Sequence, residues 1–163
     1  MRVLGIDPGT IRMGMGVIEA NGNRSHAVAF ESIPISPENP LSEKLKEIFD
    51  HVERFVEAYQ PDVMALENVF FGKNVSSLVK IGEARASAML AAAQKNVPVV
   101  EYPPARVKQA ISGNGQASKV QVQKMMKLLL GLQATPPEDA ADALAVAWCH
   151  LNSHSSHVRL SSR

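Results

Sequence analysis

The sequence predicts an α/β fold built on one central five-stranded mixed sheet, with strands 1–3 antiparallel, strands 4 and 5 parallel, and helices flanking it. Three observations predict this. The first third of the chain is strand-rich and broken by an Asn21-Gly22-Asn23 turn, residues 41–59 repeat apolar side chains at helical period, and two short apolar runs farther on alternate with helices. An Asn-Gly turn returns a strand antiparallel, whereas strands joined through a helix return parallel.

Each element has a local reason. Val3 to Asp7, Gly14 to Ala20 and His26 to Ile35 have strand character, and Asn21-Gly22 supplies the positive φ of a tight hairpin. Asn39-Pro40 opens a helix in which Leu41, Leu45, Ile48, Phe49, Val52, Phe55, Val56 and Tyr59 share one face. Pro61 ends it, and Val63 to Glu67 reads as a short buried strand. Val75 to Lys95 follows as an alanine-rich helix and Pro98 to Tyr102 as a second buried strand. Pro103-Pro104 leads into a short helix through Ile111 and a Gly113-Asn114-Gly115 loop. Ser118 and Gln121 have capping-box spacing at the head of a helix to Leu130, which Gly131 stops. Thr135-Pro136-Pro137-Glu138 announces a last helix, expected to reach about Leu151.

The 163 residues suit one domain, expected over 1–151, with residues 152–163 as a disordered tail because five of those twelve are serine and no apolar period runs through them. No apolar run approaches the ~18 residues of a membrane span. Met1-Arg2 leads straight into a strand, not into an apolar leader, and a lone Cys149 cannot form an internal disulfide. A soluble cytoplasmic protein with no membrane partner is the expectation. Cys149 and Trp148 read as core of the last helix, Met125-Met126 and Leu128 to Leu130 as core or interface packing, and His154 and His157 lack the companions a zinc site needs.

Charge divides unevenly. Residues 1–70 hold 6 Lys+Arg against 11 Asp+Glu, and residues 71–163 hold 11 against 5, so a net +1 conceals halves of −5 and +6. Between Phe71 and Pro137 nine basic residues face only Glu83 and Glu101. That balance suits a polyanion such as nucleic acid, and it is also what solvated helix faces look like.

Four acids stand where chemistry could use them. Asp7 and Glu67 each end a run of core residues, and if their strands are parallel neighbours about 4.8 Å apart both carboxylates leave the same sheet edge. Asp139 and Asp142 sit three apart in the first two turns of the last helix and share a face. Singly, each acid reads more simply as a turn former or a helix-dipole partner. Together they form the oxygen cluster that Mg²⁺ or Mn²⁺ prefers, and two such ions roughly 3.5–4 Å apart clamp the attacking and leaving oxygens of a phosphodiester. Lys119 follows an N-cap serine, at a helix start whose N–H groups already favour phosphate, and Phe70-Phe71 is a doubled aromatic entering a loop just after Glu67, placed to stack on a base or to pack.

Five stretches carry a resemblance: Gly5-Ile6-Asp7-Pro8-Gly9-Thr10, Leu66-Glu67-Asn68-Val69-Phe70, Val107-Lys108-Gln109, Lys119-Val120-Gln121-Val122 and Asp139 through Ala145. In this order and spacing the chain resembles the RuvC family of bacterial Holliday-junction resolvases from Val3 to about His150. The resemblance implies an RNase H-like fold, two metal ions (Mg²⁺, with Mn²⁺ possible) held by Asp7, Glu67, Asp139 and Asp142, and DNA-backbone contacts from Lys108 and Lys119. It matches Phe70 to an aromatic that enters the junction crossover. Some relatives carry histidine where this chain has Asp139, so the carboxylate set here is complete. The implied activity is paired symmetric nicking of a four-way DNA junction by a homodimer during recombination and repair, leaving 5′-phosphate and 3′-hydroxyl ends, with branch-migration motor proteins as partners. Two other functions compete. Asp7-Pro8-Gly9-Thr10 also opens actin-like phosphotransferases, which hold nucleotide between two domains where this chain has one, and a catalytically silent DNA-binding module would leave four repelling acids without purpose.

Overall fold

The computed structural model describes residues 1–22, 24–68, 75–113 and 117–161, with the backbone alone over 154–161. Five strands, β1 (Arg2–Asp7), β2 (Arg12–Asn21), β3 (Arg24–Pro34), β4 (Val63–Glu67) and β5 (Val99–Tyr102), form one sheet in the order β3-β2-β1-β4-β5. The first three pair antiparallel, and β4 lies parallel to both β1 and β5, as the sequence predicts. The helices are α1 (Leu41–Tyr59), α2 (Val75–Gln94), α3 (Pro104–Ser112), α4 (Lys119–Leu129) and α5 (Glu138–Ser161).

Strand alternation sorts the core into two layers. Leu4, Ile6, Met64 and Leu66 pack with α1 and α2 on one face, while Val3, Val63 and Ala65 pack with α3, α4 and α5 on the other. Parity then places residues 7 and 67 on the face that α5 covers. The predicted face of α1 is buried at Ile48, Val52, Phe55 and Val56, and Leu41, at its first turn, is exposed. The helix stops where Gln60 turns left-handed, φ 46°, and its N–H returns to the Val56 carbonyl at 2.9 Å.

Helix α5 lies unusually close to β1 and β2 because glycines pave its track. A Cβ on Gly5 would stand 1.9 Å from the Ala143 carbonyl oxygen, and one on Gly14 would stand 1.9 Å from that of Asp139. The predicted capping box is present at α4, with Ser118 and Gln121 each accepting from the other's backbone. One expectation needs correction. Helical backbone in α5 runs to Ser161 rather than ending near Leu151, and Ser153 avoids competing with it by donating its hydroxyl to the Cys149 carbonyl one turn back at 2.9 Å. Of the residues read as core or interface packing, Leu128 is exposed and so not core, because the stripe of α4 that meets the core runs through Val122, Met126 and Leu130. Cys149 is buried, as expected. Among the described residues, no helix is long and apolar enough to cross a membrane.

Candidate active site

Asp7 and Glu67 are neighbours across the β1–β4 pair. The parallel register runs to Ile6 opposite Leu66, so the next residue on each strand is the acid, and both emerge on the α5 face. Asp139 and Asp142 come down onto that edge from the first turns of α5, admitted by the bare backbone of Gly14. Asp7, Glu67 and Asp142 line one groove of about 510 Å³ together with Lys108 of α3 and Lys119 of α4.

The electrostatics follow from this crowding. Burial lifts the Asp7 carboxyl to about 7, and Asp142, Asp139 and Glu67 push the same way, against which Lys119 pulls down. Asp142 is also raised, first by burial, with Glu138 and Asp139 adding to it while Lys119 and Lys108 oppose it. Lys119 forms an ion pair with Glu138 and lies 3.8 Å from Asp142 Oδ2, and the Glu138 contact is the main reason its ammonium is held more tightly protonated than usual.

Asp139 is the exception in orientation. Its Oδ2 accepts the Ser32 hydroxyl at 2.8 Å and Arg12 Nε at 3.2 Å, so it faces β2 and β3 at the groove's edge. Neither Ser32 nor Arg12 was legible as a site residue. The signal that finds them is register: Ser32 stands opposite Gly14, and Gly14 is where the Asp139 backbone touches the sheet. Phe70 lies outside the described residues.

Among the described residues no three acids or imidazoles converge tightly enough to enclose a metal ion. The donor set nonetheless fits a hard divalent cation. It is all oxygen, and burial first, then the neighbouring acids, raise the Asp7 carboxyl, a cost of ionisation that a cation relieves.

Residues 3–150 match the profile of the family described as crossover junction endodeoxyribonuclease RuvC. A protein of that name from Teredinibacter turnerae is 47% identical over 162 residues, covering 97% of this chain and 92% of the relative. Among solved structures, Thermus thermophilus RuvC superimposes with a TM-score of 0.86 at 35% identity, covering 96% of this chain and 97% of that one. The Thermus thermophilus protein in complex with a Holliday junction substrate gives 0.86 at 36% identity, covering 93% of each chain.

Proposed function

The chain belongs to the RuvC family of crossover junction endodeoxyribonucleases, and on that premise we propose that it resolves four-way DNA junctions by metal-dependent hydrolysis in the groove between β1, β4 and α5. The observation that carries this reading is the convergence of Asp7, Glu67 and Asp142 in one groove that also holds Lys108 and Lys119; burial and the neighbouring acids raise the Asp7 carboxyl there. Acids that repel one another inside a groove repel DNA as well, unless cations fill the space between them.

Two divalent ions, Mg²⁺ or Mn²⁺, held by Asp7, Glu67, Asp139 and Asp142 would activate the attacking water and neutralise the leaving 3′-oxygen, giving 5′-phosphate and 3′-hydroxyl ends. The residues themselves set the geometry. Asp7 and Glu67 are fixed by adjacent strands and Asp142 by a helix packed on the same sheet, so three ligands ride on rigid elements. Lys119 stands beside Asp142, where its ammonium meets the charge that builds on a phosphate in the transition state. Lys108, exposed on α3 at the groove wall, attracts the backbone without touching the acids. Phe70 remains assigned to the junction crossover on its place in the sequence, three residues after Glu67.

Symmetric nicks require two sites, and one chain carries one such groove among its described residues, so the active unit is a homodimer. The setting is the cytoplasm, with branch-migration motors as partners. The alternative phosphotransferase reading fails on coverage, since the nuclease family matches residues 3–150.

The direct test replaces Asp7, Glu67, Asp139 and Asp142 one at a time by the matching amide. Each change removes a charged ligand and several kcal/mol of transition-state stabilisation, so junction cleavage in Mg²⁺ should fall about a thousandfold or more while junction binding persists. Cleavage by Asp7→Asn at a wild-type rate overturns the assignment.

A further inference from the structure

We infer that Arg85 is the positioning residue for Glu67, holding the end of β4 so that this acid faces its neighbour Asp7. The inference rests on the metal-dependent reading of the four acids. It comes from an unusual burial: Arg85, on α2, is 8% exposed and is the buried charged residue among those described. A buried cation is costly unless it is fully paired, so its partners indicate what it is for.

One partner lines the groove and the other lies on the neighbouring strand. One guanidinium nitrogen, Nη1, donates to the backbone carbonyl of Glu67, and the other, Nη2, lies 3.0 Å from Glu101 Oε2 on β5. Arg85 therefore spans from α2 to the ends of two adjacent strands, and it lines the groove with Asp7, Glu67 and Asp142. The need for it shows in the register. The β1–β4 ladder ends at Ile6 opposite Leu66, one residue short of Glu67. On the other side Glu67 still pairs with Tyr102, and the Asn68 N–H donates to the Tyr102 carbonyl at 2.8 Å. Glu67 is thus the residue at which the strand leaves β1, and its peptide plane sets where its carboxylate points. A grip on that carbonyl oxygen fixes the plane.

The chemistry requires arginine. A planar fork reaches a carbonyl and a carboxylate at once, whereas a lysine ammonium is a single point charge on a flexible stem. Glu101 neutralises the guanidinium and aims it. Arg85 grips the Glu67 backbone carbonyl, so it acts through Glu67, and a shift of about 1 Å in such a ligand can cost on the order of a hundredfold.

The experiment uses Mn²⁺ alone as probe, titrated calorimetrically into full-length metal-free wild type, Arg85→Lys, Arg85→Met and Glu101→Gln, with melting temperatures recorded for each. The Mg²⁺ concentration giving half-maximal junction cleavage is measured in parallel. Arg85→Met should weaken Mn²⁺ binding about tenfold and raise the half-maximal Mg²⁺ in proportion, with the rate partly recovered at saturating Mg²⁺. Arg85→Lys should regain little of this, and Glu101→Gln should fall between Arg85→Met and wild type. A residue that only packs would lower the melting temperature and leave the Mn²⁺ affinity of the folded protein unchanged, which overturns the inference. If Arg85→Met does not fold, Glu101→Gln and Arg85→Lys decide, and wild-type Mn²⁺ affinity in both overturns it. Wild-type protein that binds no Mn²⁺ overturns the reading of the acids as metal ligands, a result distinct from undiminished binding by the variants.

Discussion

The Ser32 hydroxyl donates to Asp139 Oδ2 at 2.8 Å, joining residues 107 positions apart and fixing an acid of the first turn of α5 against β3. Carboxylates that bind metal need such outer partners to hold their orientation, and losing one typically costs about 10–100-fold in metal affinity or activity. Ser32→Ala should therefore raise the Mg²⁺ needed for half-maximal cleavage about tenfold with little change in melting temperature. Arg12, half-exposed on the same oxygen at 3.2 Å, should matter less, because an exposed ion pair is worth at most about 1 kcal/mol. A metal titration of both variants checks the order.

How much of this was legible depends on range. Strand parity and the Asn-Gly turn are local, and they placed Asp7 and Glu67 on neighbouring strand ends as soon as a parallel crossover was assumed. The capping box at Ser118 and the apolar face of α1 are likewise written within a few residues. Ser32, Arg12 and Arg85 were not legible, because each reaches the site through packing between distant elements: a glycine track under α5 in one case, a buried guanidinium under two strand ends in the other. The end of α5 departs from its local sequence signal for another reason. Serine and asparagine disfavour helix on average, but a helix already anchored by packed residues up to Leu151 carries them along, and Ser153 is satisfied by its own preceding turn.

Stability should depend on pH in the metal-free protein. The folded chain holds the Asp7 proton up to about 7 against an ordinary value of 3.8, so it binds that proton more tightly than the unfolded chain does. The contribution is fully present below about 3.8 and is lost as pH climbs through about 7, a fall on the order of 4 kcal/mol. Asp142, shifted in the same direction, adds to the slope. Urea unfolding in EDTA should show wild type losing stability across that window, and Asp7→Asn should flatten the curve and exceed wild type at pH 8. Added Mn²⁺ should reverse the ranking.

Phe70 calls for a test on substrate, since it lies outside the described residues. A ring that enters the crossover offsets part of the few kcal/mol needed to open a base step, through stacking worth ~1–3 kcal/mol. Phe70→Ala should cut a fully paired junction slowly and recover on one with unpaired bases at its centre. Equal slowing on both substrates, together with a lowered melting temperature, would make the ring a packing residue.

Lys119 and Lys95 offer a matched comparison. Lys95 lies just past α2 and pairs with Glu53 at 3.0 Å and Glu57 at 2.6 Å on α1, away from the groove. Lys119 pairs with Glu138 at the start of α5 and lies 3.8 Å from Asp142, and it is the group that opposes the rise at Asp7. Its removal has two separable consequences. On the proposed role beside the scissile phosphate, single-turnover cleavage should drop about tenfold to a hundredfold, while affinity falls only by the equivalent of one phosphate contact in the salt dependence. Asp7 and Asp142 also lose the lysine that opposes their rise, so the Asp7 carboxyl should climb further and the rising limb of the pH–rate profile should move to higher pH in Lys119→Ala. Lys95→Ala should change neither. Glu138→Gln supplies the converse, because it releases the ammonium toward phosphate while keeping the charge, and it should leave the single-turnover rate at or above wild type. A Lys119→Ala enzyme whose rate at saturating protein and whose pH profile both match wild type would reduce the residue to a surface ion pair with Glu138.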